Sequence, residues 1–142
     1  MRIPNIIAVF LCSLTMFSAN FVYAETAVIV SSSNANASLD SDTVSRIYLG
    51  KSSNFPSGDQ AVPVDQSEGS ATRDAFNGSV LGKSSSQLKA YWSRLIFTGK
   101  GTPPKEVGDD AAVKKLVAAN PNMIGYIDSA AVDDTVKVVL TF

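Results

Sequence analysis

The sequence predicts an α/β fold, a single compact domain in which helices cover a small mixed sheet. Three observations carry that expectation. Apolar runs of strand length (TAVIV, AVPV, MIGYI, VKVVL) alternate with segments of helical period. The first run is apolar throughout, as in a strand covered on both faces. The length suits one core, and no repeat, linker or low-complexity tail divides it.

The chain has 142 residues, with 12 Lys+Arg and 13 Asp+Glu. Residues 1–24 read as an export signal. Arg2 gives a positive start, Ile6 to Phe17 is mostly apolar, and Val22-Tyr23-Ala24 sets small residues at a cleavage point. The apolar run is shorter than the ~20 residues that a membrane span needs. Cys12 follows Leu11, where a lipid-modified signal would want a small residue. Cleavage after Ala24 is therefore expected, leaving 118 of the 142 residues as the domain at 25–142. Loss of Arg2 leaves 11 cations against 13 anions, a balance that gives no electrostatic reason to expect nucleic acid. The domain has no Cys and no His. It therefore lacks a disulfide, a thiolate metal site, the usual general base and the Ser-His-Asp triad. No metal, cofactor or catalytic residue is expected, and the expected compartment is the periplasm.

Each element has its own reason. Thr26 to Val30 is β-branched and apolar, and the Ser/Asn-rich segment from Ser31 to Ser38 reads as a loop. Asp40 caps a helix, with Leu39 and Val44 spaced as a hydrophobic staple, Val44, Ile47 and Tyr48 on one face, and Gly50 as the stop. Pro56-Ser57-Gly58-Asp59 is a turn beyond Phe55, which tucks under the domain. Ala61 to Val64 is a strand, and its Pro63 predicts an edge position or an irregular strand end. A helix over 71–81 turns Ala75, Phe76, Val80 and Leu81 inward and ends at Gly82. Ser85 or Ser86 caps the next helix, to Phe97. Its stripe of Leu88, Tyr91, Trp92, Leu95 and Ile96 is the strongest periodic signal and predicts core. Thr98 to Pro104 is a loop. Asp109 or Asp110 caps a helix through Ala119, which Asn120-Pro121 stops. Met123 to Ile127 is a strand, Ser129 to Val132 one helical turn, and Val136 to Leu140 the closing strand.

Ligands of open α/β sheets sit where strands lead into helices. Three loops qualify: Ser31 to Asn34, Gln66 to Arg73, and Asp128-Ser129. The second carries the best chemistry. Ser70 is the expected N-cap, and the N–H groups of Ala71 and Thr72 with the hydroxyls of Ser67, Ser70 and Thr72 can receive an oxyanion. Gly69 removes bulk from the approach. Arg73 is the discriminating residue, since a cation in a first helical turn opposes the macrodipole unless an anion lies beside it. The alternative is a merely capped turn in which Arg73 pairs with Glu68, Asp74 or Asp65.

Three segments resemble one family. Ile47-Tyr48-Leu49-Gly50-Lys51 with Asn54-Phe55-Pro56, then Gly69-Ser70-Ala71-Thr72-Arg73-Asp74-Ala75-Phe76, then Asn122-Met123-Ile124-Gly125-Tyr126-Ile127 occur in family order. They are similar to segments of the phosphate-binding proteins of ABC transporters (PstS-like, type 2 periplasmic binding proteins). The resemblance implies a domain like one lobe of a two-lobed binder, with the second segment as the phosphate loop. Ala71 stands at the family's central Gly, and Gln66 stands where the family has a phosphate-pairing Arg. The loop Ser32-Ser33 corresponds loosely to the family's N-terminal substrate loop. The implied function is an exported solute-binding-like protein for phosphate or a related oxyanion. Its site would comprise Gln66, Ser67, Gly69, Ser70, Ala71, Thr72 and Arg73, with Ser32 and Ser33 as second contributors. A membrane permease or a second copy would close it. The alternative function is a non-catalytic interaction module of an envelope assembly.

Overall fold

The computed structural model describes residues 25–142, so the expected export signal lies outside the described residues. In chain order the elements are β1 (Thr26–Ser31), α1 (Ser41–Tyr48), β2 (Val62–Gln66), α2 (Ala71–Phe76), a π turn (Asn77–Leu81), α3 (Ser85–Phe97), β3 (Lys105–Gly108), α4 (Asp110–Ala119), β4 (Met123–Asp128), a 3-10 turn (Ser129–Ala131) and β5 (Val136–Thr141). No helix among the described residues is long and apolar enough to cross a membrane.

Among the described residues, five strands form one mixed sheet in the order β3-β2-β4-β1-β5. β2 runs parallel to β3 and β4, whereas β1 runs antiparallel to β4 and β5. Among the described residues β1 is therefore the one reversed strand, and it lies inside the sheet between β4 and β5. Alternation along it explains why the run is apolar throughout. Val28 and Val30 join Val44, Ile47, Tyr48 and Phe76 on one face, while Ala27 and Ile29 join Val113 and Val117 on the other. Helices thus cover both faces, with α1 and α2 on one and α4 on the other.

The expected cap at Asp40 is present. Its carboxylate accepts the Thr43 N–H at 2.7 Å, and Leu39 and Val44 are buried in the same cluster. Phe55 is buried as expected. Other expectations need correction. β3 was not foreseen, because its four residues offer one apolar side chain, Val107, between Glu106 and Gly108. With β3 outside it, β2 is not an edge. Pro63 is tolerated because pairing to β3 begins only at Val64, so no ladder donor is missed there. The helix expected over 71–81 widens after Phe76 into the π turn, and Ala75 faces solvent. Ser84, rather than Ser85 or Ser86, caps α3, and it forms a reciprocal capping box with Gln87. The α3 stripe is only partly core. Leu88 and Trp92 pack with Leu49, whereas Ile96 is 55% and its neighbour Phe97 92% exposed.

α4 lies very close to β4 because Gly125 has no side chain. A Cβ there would stand 2.5 Å from Val113 Cγ1 and 3.1 Å from Val117 Cγ2. Both neighbours are β-branched and stiff, so neither can yield without moving the helix. Gly125→Ala is expected to destabilise the domain by about 1–3 kcal/mol. Urea denaturation should show an earlier midpoint with an unchanged slope.

Candidate functional site

The backbone ladder between β2 and β4 is short. Val62 pairs with Met123 and Pro63 with Ile124, and no further pair follows. Side chains join the strands beyond that point. The Tyr48 hydroxyl lies 2.9 Å from the Val64 carbonyl and 3.1 Å from that of Ile124. The Gln66 N–H donates to the Tyr126 hydroxyl at 3.2 Å, and that hydroxyl donates to Asp65. Burial, then the Asp65 carboxylate, pushes the Tyr126 hydroxyl's pKa far above its ordinary value, so it stays a donor.

Gln66 is 2% exposed and fully engaged. Its amide nitrogen donates to Asp110 at 2.6 Å and to the Tyr126 carbonyl at 3.0 Å. Its amide oxygen accepts the Ser70 hydroxyl at 2.7 Å. Ser70 in turn accepts the Arg73 N–H at 3.2 Å, which makes it the N-cap of α2. Gln66 is therefore a junction between β2, β4, α2 and α4, and its side chain does not present itself to a ligand. The expected Gln66 contact thus gives way to a structural task, and the Ser70 hydroxyl is spent in the same way.

Ser67, Gly69 and Ala71 are exposed, while Thr72 is half-buried. The N–H groups of Ala71 and Thr72, at the start of α2, have no partner within the helix. Gly69 adopts φ +89°, a left-handed conformation that shapes the turn into Ser70.

Arg73 is braced on three sides. Its guanidinium donates to the Gln66 carbonyl at 2.9 Å, lies 3.5 Å from Asp65 and bonds the Glu106 carboxylate. The same Glu106 oxygen accepts the Glu68 N–H at 3.1 Å. Glu106 therefore occupies a cation and a loop N–H that an incoming anion could use. Glu68 points elsewhere and pairs with Lys89 at 2.5 Å. Of the three partners expected for Arg73, Asp65 is present and Glu68 and Asp74 are not. Burial opposes the charge on Arg73, but Asp65 and Glu106 outweigh it and hold its pKa above the ordinary value. Burial raises the Asp65 carboxyl above its ordinary value, although Tyr126 and Arg73 pull the other way. Glu106 escaped sequence reasoning because it lies on the unforeseen β3.

Ser32 and Ser33 do not join this loop. β1 is antiparallel to β4, and Val30 pairs with Ile124 near the start of that strand, while Thr26 pairs with Asp128 at its end. The Ser31 hydroxyl accordingly contacts the Ala118 carbonyl at the end of α4. Ser32 and Ser33 thus follow β1 at the opposite end of the sheet from Gln66 and Asp128. The reversed direction of β1 was invisible in its own sequence.

Beside the loop lies a cleft of about 360 Å³. Arg73, Asp65 and Glu68 stand at one part of its wall, and α3 supplies Leu88, Trp92 and Ile96. Asn77, in the π turn, also lines it. Asn77 is 3% exposed, and its Nδ2 is the buried side-chain polar atom without a hydrogen-bond partner among the described residues. Such an unpaired donor costs about 1–3 kcal/mol.

Residues 13–140 match the family described as PBP superfamily domain. Among curated proteins, none matches the sequence. Among solved structures, the chain is similar to a protein from Clostridium perfringens described as a phosphate ABC transporter substrate-binding protein with bound phosphate. Their identity is 29% and the TM-score 0.66, over 82% of this chain and 45% of that one. It is also similar to an ABC-type phosphate transport receptor from Vibrio cholerae, at 23% identity and TM-score 0.63, over 82% and 46%. PstS from Borrelia burgdorferi shares the fold at 12% identity and TM-score 0.59, over 82% and 47%. The chain spans under half the length of these structures. The chain belongs to the PBP superfamily domain family, and its five-stranded α/β fold is that of one lobe of a phosphate-binding protein of the PstS-like kind.

Proposed function

We propose that this protein binds phosphate or a related oxyanion at the β2–α2 loop, as an exported solute-binding protein. One observation carries the reading. The segment from Gly69 to Arg73, similar to the phosphate loop of such binders, caps α2 at the carboxyl end of a parallel strand. The protein with bound phosphate, 29% identical, adds weight. The N–H groups of Ala71 and Thr72 and the hydroxyls of Ser67 and Thr72 hold the anion, Gly69 lets it approach, and Arg73 supplies charge. Gln66 and Ser70 position the loop. Ser32 and Ser33 take no part. Export rests on the signal read in residues 1–24. A permease or a second copy closes over the loop, where Ser67, Gly69 and Ala71 are exposed.

Glu106 sets the affinity. An oxyanion that reaches Arg73 must exchange with a carboxylate already held by a charge-assisted bond. Affinity for a bare anion is therefore modest. Catalysis has no place in this reading. A second reading, docking of a protein partner, draws on Phe97, which is 92% exposed at the end of α3.

Isothermal titration of the domain with phosphate and sulfate tests the proposal. Millimolar binding, lost in Arg73→Ala, is the expected result. No heat at tens of millimolar phosphate would rule out the oxyanion reading and leave the docking one. Glu106→Gln keeps the shape of the side chain while removing its charge, and should tighten phosphate binding about tenfold, or ~1.4 kcal/mol.

The raised Asp65 carboxyl gives a pH dependence. As pH falls from neutral, Asp65 takes up a proton before an ordinary carboxylate with a pKa near ~3.9 does so. A negative charge beside Arg73 is thereby removed. Sulfate, whose own charge is constant over this interval, should bind more tightly as pH falls through that window. Asp65→Asn should bind tightly at neutral pH and flatten the profile.

A further inference from the structure

We infer that the cleft beside the loop receives an apolar substituent carried by the oxyanion, so that the preferred ligand is a phosphonate or phosphomonoester of a flat apolar group rather than the bare anion. This rests on the oxyanion reading above and names the ligand class of that same site. Three observations support it.

The first is size. A cleft of about 360 Å³ falls within the ~300–1,000 Å³ of small-molecule pockets, and a bare tetrahedral anion would leave most of it empty. The second is the arrangement of its walls. Arg73 and Lys89 line it together with Asp65 and Glu68, and Leu88, Trp92 and Ile96 of α3 line it with Pro104 of the loop before β3. Charged and apolar surfaces thus meet in one cleft, and Arg73 is the residue that this cleft shares with the oxyanion loop. The third is Asn77. It lines the cleft, is 97% buried, and carries an amide nitrogen with no partner among the described residues. The nitrogen itself is enclosed, so a ligand oxygen in the cleft supplies the missing acceptor only when the Asn77 side chain turns toward it.

The same arrangement answers the competition from Glu106. A bare oxyanion exchanges one anion for another at Arg73. A ligand with an apolar body adds contact along Trp92 and Ile96 that Glu106 cannot make. The added apolar burial shifts the exchange toward the ligand.

Phenylphosphonate, inorganic phosphate and benzyl alcohol serve as probes, by isothermal titration and by the fluorescence of Trp92, the one tryptophan of the chain. Phenylphosphonate should bind at least tenfold more tightly than phosphate and change Trp92 emission. Ser93 is exposed on α3 and lines the cleft, so Ser93→Phe fills the space without disturbing the core. It should abolish the tenfold preference while phosphate binding persists. Ile96→Ser, at an exposed position, should reduce the preference several-fold. Equal affinity for phenylphosphonate and phosphate, with constant Trp92 emission, would overturn this inference and leave the oxyanion site standing. Benzyl alcohol binding as tightly as phenylphosphonate would overturn it too, since the anion would then contribute nothing. Failure of both phosphate and phenylphosphonate to bind would overturn the oxyanion reading and this inference with it.

Discussion

The backbone ladder between β2 and β4 stops after Pro63 and Ile124, and side chains do the rest of the joining. Tyr48, Tyr126 and Gln66 replace the missing ladder with hydroxyl and amide bonds. That replacement governs the site. Parting β2 from β4 opens the end of the sheet where ligands of such folds sit. The junction closes the gap with buried polar groups, each needing a partner. Phe76 stacks on Tyr126 with ring centroids 4.1 Å apart, which fixes the ring whose hydroxyl the network needs. The position of α2, and so of its first N–H groups, follows from Ser70 bonding to the same Gln66.

Charge at the site follows from this scaffold. Arg73 cannot move freely, because Gln66, Asp65 and Glu106 hold its guanidinium. A fixed cation avoids the entropy of ordering a long side chain on binding, but two carboxylates screen it. Half of the Glu106 side chain is exposed, whereas Asp65 is largely buried, so the two can be displaced at different cost. The site combines preorganised donors with an internal competitor for them.

Much of the fold was legible in the sequence. The staple of Leu39 and Val44, the stop at Gly50 and the double-sided run in β1 each express a local rule, and each is seen. What escaped is non-local. The reversal of β1 depends on its partners β4 and β5, and no residue within TAVIV encodes it. Ser32 and Ser33, expected as second contributors, lie at the opposite end of the sheet from Gln66 for that reason. β3 exists because β2 offers it a partner, not because Lys105 and Glu106 favour extension. The loop at Gly69 to Arg73 was legible as a capped helix start. The burial of Gln66 was not, since a polar residue at a strand end gives no hint of the four elements that converge on it.

Among the described residues, β3 lies at the margin of the sheet, with an unpaired row of backbone groups along one side. Such margins invite another chain to add a strand, and short length and charged side chains are the usual defence. Lys105 and Glu106 make up half of this four-residue strand, and both are exposed. Glu106 therefore serves two purposes that pull in opposite directions. Losing its charge opens the anion site and also weakens the guard against intermolecular strand pairing. Solubility, and not ligand affinity alone, then limits how far evolution or design can loosen the grip on Arg73.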